Sequence, residues 1–285
     1  MKFLLLLFAL SITTNAFYAQ GTDIFGNSVP SSSSKKQLSS ASTNKVDAQG
    51  RKQGHWEKRF SSGRLAYSVN FKDDKPVGEM IRYYESGRPK VKINYDENGE
   101  YGDAELFYKN GKIQATGKYH GKVKDGKWNY FLNDGSLNST ETFTNDIKNG
   151  LTTFYYRNGN KSEDTMWKDN IKDGDCIKYF ESGAKKTKLT YKNNLIHGDY
   201  WVYHENGNVE IQGQFINGLE DGEWLIFAPN GNFMYKLLYD EGIVLNGDSL
   251  DQKQKKMFEE FEMNKGKIKD PEEFKNNPDG YIRTF

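Results

Sequence analysis

Glycine, aromatic and polar positions recur along the middle of this chain with a period of 24 residues. Each of eight units opens on a glycine, a second glycine follows nine residues later, and an aromatic residue stands eight positions beyond that. Seven of the eight units carry a further aromatic residue five positions after the opening glycine. The phase is unbroken over residues 54–245, so the pattern predicts a tandem repeat. The opening glycines, which define position 1 of each unit, are Gly54, Gly78, Gly102, Gly126, Gly150, Gly174, Gly198 and Gly222.

Each unit has the pattern of a β-hairpin. The residue before the second glycine is Asn, Asp or Ser in every unit. Asn-Gly and Asp-Gly favour the positive φ angles of a two-residue type I′ turn. We therefore predict a strand at positions 2–8, a turn at positions 9 and 10, a strand at positions 11–19, and a connection to the next hairpin over the remainder.

The predicted turn also sets the register of the hairpin. Two residues pair when their positions sum to 19, so Gly126 lies opposite Phe143 and Gly174 lies opposite Tyr191. We interpret this pairing as an aromatic ring that lies over a glycine and fills the place of the missing side chain.

Side-chain alternation along the strands assigns two faces to the sheet. The apolar face collects positions 3, 5, 7, 12, 14, 16 and 18, with residues such as Trp128, Phe180 and Leu137. The polar face is rich in Lys, Glu, Asn and Thr, except for an aromatic column at position 6 that recurs about every 9.6 Å. This aromatic ladder is the predicted binding site for an extended ligand or partner. Alternatively, sheet twist packs these rings on one another or on Lys and Arg stems. The ladder consists of Tyr83, Phe107, Phe131, Tyr155, Tyr179, Tyr203 and Phe227.

Two stretches show the repeat most clearly: residues 126–135 read G-K-W-N-Y-F-L-N-D-G, and residues 222–231 read G-E-W-L-I-F-A-P-N-G. The pattern resembles the bacterial variant of the MORN repeat over all eight units. The resemblance implies an all-β fold, an elongated single-layer antiparallel sheet that forms a solenoid of eight hairpins. It also implies a scaffold, a membrane-tethering module or an accessory domain, and many relatives carry an antitoxin-like label.

Residues 1–19 have the features of a signal peptide. Lys2 precedes an apolar run from Phe3 to Ile12, and small residues follow. The run is shorter than the roughly 20 residues of a membrane-spanning helix. We therefore predict cleavage and a periplasmic or extracellular protein without a transmembrane span after cleavage. Residues 20–53, which are rich in Ser and Lys, predict a disordered linker.

Residues 246–285 are predicted to form a helical cap. The end of a solenoid exposes an unpaired strand edge that needs a cover. Leu250 and Met257 belong to a series of apolar residues at helical spacing, which predicts a helix near 250–263. Asp270, which precedes a proline, predicts the start of a second helix. The alternative is an amphipathic helix that binds a partner.

Composition and motifs exclude several chemistries. The 40 Lys and Arg residues balance 39 Asp and Glu residues, and a net charge of +1 argues against a nucleic-acid partner. One cysteine, Cys176, excludes an intrachain disulfide and a cysteine-based zinc site, and its position predicts a small core residue. Residues 121–127 resemble a phosphate-binding loop, but Trp128 stands where Ser or Thr must bind magnesium.

We predict no catalytic residue, no metal and no cofactor. Acidic residues near one turn edge are interpreted as solubilising, with a Ca²⁺ site as the alternative.

Taken together, these features predict a non-catalytic exported repeat protein that acts as a protein or envelope interaction scaffold. Its partner would be a protein or an envelope component: a peptide, a glycan or a lipid surface. The alternative is an antitoxin-like or immunity protein that neutralises a toxin. A glycan-acting enzyme is disfavoured, because a regular ribbon offers no evident cleft for two carboxylates. The pattern leaves the oligomeric state open.

Overall fold

Twenty strands and one helix form the described part of the computed structural model, which covers residues 43–247 and 252–264. The elements are β1 Lys45–Val46, β2 Lys52–Arg59, β3 Leu65–Lys72, β4 Lys75–Tyr83, β5 Pro89–Tyr95, β6 Tyr101–Phe107, β7 Ile113–His120, β8 Val123–Phe131, β9 Leu137–Thr144, β10 Ile147–Lys148, β11 Gly150–Tyr155, β12 Lys161–Lys168, β13 Ile171–Tyr179, β14 Lys185–Lys192, β15 Leu195–Ile196, β16 Gly198–Tyr203, β17 Val209–Ile216, β18 Leu219–Phe227, β19 Phe233–Asp240, β20 Ile243–Val244 and α1 Gln252–Asn264.

Consecutive strands pair antiparallel, except β10 with β11 and β15 with β16, so the sheet is a continuous meander. A gap of one residue separates β10 from β11, and another separates β15 from β16. Strand β9 therefore pairs with both β10 and β11, and β14 pairs with both β15 and β16. The predicted fold class is confirmed: an all-β, open antiparallel sheet built from hairpin repeats, followed by a short helix.

The predictions for the two ends of the chain are largely outside the described residues. This holds for the signal peptide at 1–19, for the linker up to residue 42 and for the second helix at Asp270. Strand β1 and the start of β2 lie within the segment 20–53 that we assigned to a linker. The Asp47 carboxylate accepts hydrogen bonds of 2.9 Å from the backbone N–H groups of Gln49 and Arg51 and so closes the turn between these strands.

The hairpin turn differs from the predicted type I′ turn. In unit 4 the N–H of Leu132 donates to the carbonyl of Ser136, and the N–H of Gly135 donates to the carbonyl of Leu132. Among the loop residues of this hairpin only Gly135 has a positive φ, of 99°. The loop is therefore a type I turn followed by a glycine bulge, and the same bonds recur in all eight units. Asp134 precedes the glycine because its carboxylate accepts the N–H of Ser136 at 2.9 Å.

Two-residue type I′ turns occur instead between the units, where we predicted a connection without assigning a turn type. Both residues of the turn have positive φ at six of these connections, for example Asn193 at 51° and Asn194 at 67°. The Oδ1 of Asn194 accepts the N–H of Lys172 at 2.8 Å, and its own N–H donates to the carbonyl of Lys172 at 2.9 Å. Each such turn is thus hydrogen-bonded to the unit before it. Positions 22 and 23, which follow each of these six turns, continue as strand.

The predicted pairing of position 1 with position 18 is confirmed in all eight units. Our explanation for it was wrong. The opening glycine has a positive φ in seven units, and a Cβ built on Gly126 would have no heavy atom within 4 Å. No ring covers that glycine, and the residue is glycine because its backbone is left-handed. Rings do cover glycines at position 16, where Trp128 lies against Gly117 and Trp224 against Gly213.

The core lies on the predicted apolar face. Trp128 and Trp224, both at position 3, are 0% and 1% exposed. In the last two units Met257 of α1 packs against the cluster around Trp224, so the helix lies on the final hairpins as predicted. Beyond the last hairpin the sheet ends at a strand edge. The two-residue strand β20 forms that edge, as β1 does at the other end, and very short edge strands resist pairing with other chains.

Candidate functional site

The seven residues of the aromatic ladder each occupy the last position of a strand, in β4, β6, β8, β11, β13, β16 and β18. All seven are half-buried, whereas Arg59 at the same position of the first unit is exposed. Equivalent strands lie two apart in the sheet, which spaces the rings by about 9.6 Å. Within the described residues no two of these rings contact each other, so the column is a series of separate platforms.

A bulge changes the neighbours of the ladder from those we predicted. Position 5 pairs with position 14, but position 6 pairs with position 12, as for Phe131 and Leu137. Position 12 therefore shares the polar face with the ladder, and its assignment to the apolar face was wrong. The 56% exposed Phe233 lies 5.9 Å from Phe227 between ring centroids. Five ladder residues have an apolar partner of this kind: Tyr83 with Pro89, Phe107 with Ile113, Phe131 with Leu137, Tyr203 with Val209, and Phe227 with Phe233.

At two ladder rings, a polar side chain at position 15 of the preceding unit makes a contact. The Nζ of Lys92 lies 5.9 Å from the ring centroid of Phe107. The hydroxyl of Tyr179 donates to Oδ2 of Asp164 at 3.0 Å. Burial raises the pKa of Tyr179 to about 12, and the negative charge of Asp164 adds to that shift. The rings are thus packed on one side and open on the other.

The main chain of the ladder is held by the unit before it. The hydroxyl of Tyr84 donates to the carbonyl of Phe107 at 2.6 Å, and that of Tyr156 donates to the carbonyl of Tyr179 at 2.7 Å. In unit 7 the Nε2 of His204 takes the place of the hydroxyl, 2.9 Å from the carbonyl of Phe227. Because these bonds fix the backbone, the rings lose little freedom when a ligand covers them.

A shallow polar groove of about 890 Å³ lies beside the ladder in units 2–4. Lys92 lines it and also contacts Phe107, which places the groove and the ladder on the same face. Asp103 and Lys118 within the groove form an ion pair of 3.6 Å. The lining mixes both charge signs with amides and a hydroxyl, a chemistry that suits the backbone of a peptide better than a purely anionic or cationic ligand.

Sequence reasoning missed a cluster of polar side chains that is buried in the apolar face of units 4–6. Glu141 and Glu163 stand at positions 16 and 14 and are 1% and 2% exposed. Lys148 lies 3.3 Å from Glu141, and Lys178 lies 3.5 Å from Glu163, so both carboxylates have a cationic partner. The sequence contained a signal for these buried charges, because positions 14 and 16 are apolar in most other units. Breaking such a buried pair is strongly destabilising.

Cys176 lies beside this polar cluster and is 1% exposed, in agreement with its predicted role as a core residue. The hydroxyl of Thr165 donates to its Sγ at 3.2 Å. Burial raises the pKa of the thiol to about 12, and the Glu163 carboxylate adds to the shift. A thiol with this pKa is protonated at neutral pH and is a poor nucleophile.

The other motifs lie where the repeat places them. Gly121 and Lys122 form the turn between β7 and β8, so the resemblance to a phosphate-binding loop falls on a hairpin. The Nδ1 of His197 accepts the N–H of Asn217 at 3.3 Å. Among residues 43–247 and 252–264, no group of three His, Cys, Asp or Glu side chains could hold a metal ion. Over the same residues, no helix combines the length and apolar character of a membrane span.

Four segments of the chain match the family model described as MORN repeat variant: residues 76–97, 100–120, 172–193 and 196–217. The chain therefore contains MORN-variant repeats, and each match begins two residues before an opening glycine. Repeats of this family are generally protein- or membrane-binding motifs and are typically non-catalytic.

No curated protein gives a significant match to the chain. One matching solved structure is the wild-type TCP10 domain of Danio rerio CPAP in complex with a peptide of Danio rerio STIL. It is 12% identical over 65% of this chain and 100% of that chain, with a TM-score of 0.14. A similarity at this TM-score carries no argument about the present protein.

Proposed function

We propose that this protein is a non-catalytic scaffold that holds an extended segment of a partner protein along the aromatic ladder. The observation that carries the proposal is the series of half-exposed rings at a constant interval on an otherwise polar face. Large rigid rings supply contact area at a small cost in conformational entropy. The apolar residues at position 12 widen five of the seven platforms.

The spacing of the platforms defines the ligand further. Three residues of a polyproline II segment span about 9.3 Å, and side chains three residues apart in it point the same way. This length matches the ladder repeat of about 9.6 Å. A polyproline II segment with an apolar residue or a proline at every third position would therefore place one such side chain on each ring, whereas residues three apart in a β-strand face opposite sides. The polar groove beside the ladder would bind the backbone and the intervening polar residues.

The N-terminal pattern supports a second element of the proposal, namely that the scaffold acts outside the cytoplasm. Lys2 and the short apolar run after it are typical of a signal peptide. Mass spectrometry of the protein purified from its source cells tests this element. A new N-terminus at Phe17 or Gln20 is expected, and an intact cytoplasmic protein that begins at Met1 would contradict it.

The ladder is tested with a triple variant, Phe131→Ala, Tyr155→Ala and Tyr179→Ala. A matched control, Lys72→Ala, Tyr101→Ala and His120→Ala, removes three exposed side chains from the same face away from the ladder. Both variants and the native chain are used to capture partners from envelope extract, after circular dichroism has shown that they are folded. We expect a partner that the native chain and the control retain and that the ladder variant loses.

Synthetic peptides of about fifteen residues then test the ligand class. One peptide carries Leu or Pro at every third position, and a control of the same composition carries them at every second position. Tighter binding of the first peptide, lost in the ladder variant, is expected. Equal binding of both peptides, or binding that survives the triple substitution, would refute the proposed use of the ladder.

A further inference from the structure

A second apolar column lies on the polar face, at the edge formed by the type I′ turns. It occupies position 22 of five consecutive units, and its members are between 37% and 67% exposed. In units 1 and 2 the same position holds Lys75 and Gly99, so the column is confined to the later part of the sheet. We call it the turn-edge stripe, and it consists of Ile147, Ile171, Leu195, Leu219 and Ile243.

Local geometry makes the stripe continuous. Each member is the first residue of a strand after a turn, in β10, β13, β15, β18 and β20. The Cδ2 of Leu195 lies 3.5 Å from where a Cβ on Gly218 would be, and the Cδ2 of Leu219 is equally close to that place at Gly242. Leu195 and Leu219 therefore each rest against the turn of the following unit. The glycine in each of these two turns leaves the aliphatic side chain exposed.

Other exposed aliphatic residues broaden the stripe. Ile216 pairs with Leu219 across the turn, and Leu151 pairs with Met166 on the same face. Leu238 and Leu245 extend the patch at its C-terminal end, and all of these side chains are more than a third exposed. Monomeric proteins seldom leave a contiguous apolar patch larger than a few hundred Å² in water, and larger patches mark interaction sites.

The charges around the stripe identify its occupant. Nine carboxylates lie on the turns or on the polar face of the strands that these turns join, against four ammonium groups, those of Lys168, Lys188, Lys192 and Lys236, the last of which pairs with Glu223 at 2.5 Å. A second copy would bring two acidic rims together, and an anionic membrane would be repelled by the same rim. A cationic partner is favoured on both counts. The carboxylates are those of Asp146, Asp169, Asp173, Asp175, Asp199, Asp221, Glu223, Asp240 and Glu241.

We propose that the turn-edge stripe binds a cationic amphipathic segment of a partner protein, whose aliphatic side chains cover the stripe and whose Lys or Arg residues meet the acidic rim. This surface is separate from the aromatic ladder, because the two columns lie toward opposite ends of the strands. The face then holds two extended segments side by side, one on the rings and one on the turn edge.

The test measures peptide binding to the full chain by fluorescence anisotropy. One peptide of about twelve residues alternates Lys and Val, a second replaces every Lys by Glu, and a third has the composition of the first with its valines grouped. The stripe variant is Leu195→Ser with Leu219→Ser, and the rim variant is Asp175→Asn with Asp199→Asn. Val46→Ser, which changes an exposed aliphatic side chain on the edge strand β1, outside both surfaces, is the matched control.

We expect the alternating Lys peptide to bind most tightly, with affinity about tenfold weaker in the stripe variant and unchanged in the Val46 control. The rim variant should bind the alternating Lys peptide more weakly, and its affinity should depend less on the salt concentration. The proposal is overturned if the Glu peptide binds as well, if the stripe variant binds like the native chain, or if no peptide binds. It is also overturned if sedimentation shows a dimer that the stripe variant abolishes, since the stripe would then be an interface between copies.

Discussion

At the scale of single residues, backbone conformation explains more of the repeat than side-chain contact does. Seven of the eight opening glycines have a positive φ, which costs a residue with a Cβ about 1–2 kcal/mol. Gly102 is the exception, because its φ is ordinary and a Cβ there would lie 2.5 Å from Cγ2 of Ile93. Position 1 is therefore glycine for two different reasons: a left-handed backbone in seven units, and crowding by a neighbouring side chain in the eighth.

The conformational cause predicts the effect of substitution at Gly126. Gly126→Ala should lower the free energy of unfolding by about 1–2 kcal/mol, because φ is 70° and nothing crowds the site. Gly126→Asn should cost less than half as much, since Asn tolerates the left-handed region. Urea unfolding of both variants provides the measurement. If Asn costs as much as Ala, the explanation by backbone conformation is wrong.

Burial of Cys176 predicts the reactivity of its thiol. Since burial raises the pKa to about 12, the thiolate fraction at pH 8 is negligible and the side chain is shielded. We expect no measurable reaction of the native protein with Ellman's reagent at pH 8 over an hour. One thiol per chain should react at once in denaturant. Rapid labelling of the folded chain would show that the thiol is accessible.

At the scale of elements, hydrogen bonds between neighbouring units complete what each hairpin begins. On the inter-unit turns Asp or Asn side chains bind the backbone of the preceding unit, as Asp146 does with the N–H of Lys124 at 2.7 Å. At the opposite end a hydroxyl at position 7 binds the carbonyl of the next ladder residue. These bonds tie each unit to its neighbours, as expected for a solenoid.

The bond from Tyr84 to Phe107 provides a test of this coupling. Tyr84→Phe removes a hydroxyl that donates at 2.6 Å and should lower the free energy of unfolding by about 1 kcal/mol. The neighbouring Tyr83, whose hydroxyl makes no hydrogen bond within the described residues, is the matched control as Tyr83→Phe. Chemical denaturation of the two variants decides the matter. If both changes lower the free energy of unfolding equally, the inter-unit hydrogen bond does not contribute to stability.

At the scale of the whole molecule, buried tyrosines make the fold sensitive to alkali. Burial raises the pKa of Tyr119 and of Tyr200 to about 12, against about 10 in an unfolded chain. A raised folded-state pKa gives stability that is complete below about pH 10 and is lost as the pH rises toward 12. The unfolded chain ionises first, so alkali favours unfolding.

We therefore expect the free energy of unfolding at pH 11 to fall below that at pH 8, by about 1 kcal/mol for each of these tyrosines. Tyr119→Phe keeps the ring that packs 4.9 Å from Trp128 between centroids and removes the ionisation. This variant should lose less stability between the two pH values than the native chain. An identical loss in both proteins would mean that Tyr119 does not contribute to the alkaline transition.

The sequence alone determined the repeat, the hairpins, the pairing of positions 1 and 18, and the position of the aromatic ladder, because these follow from a period of 24 residues and from side-chain alternation. The tertiary structure decided the turn types, the bulge that sets Leu137 opposite Phe131, and the buried pair of Glu163 and Lys178. It also revealed the turn-edge stripe. These features depend on φ angles and on contacts between units. A periodic pattern shows which residues recur, whereas backbone handedness and the packing of neighbouring units determine which of them meet.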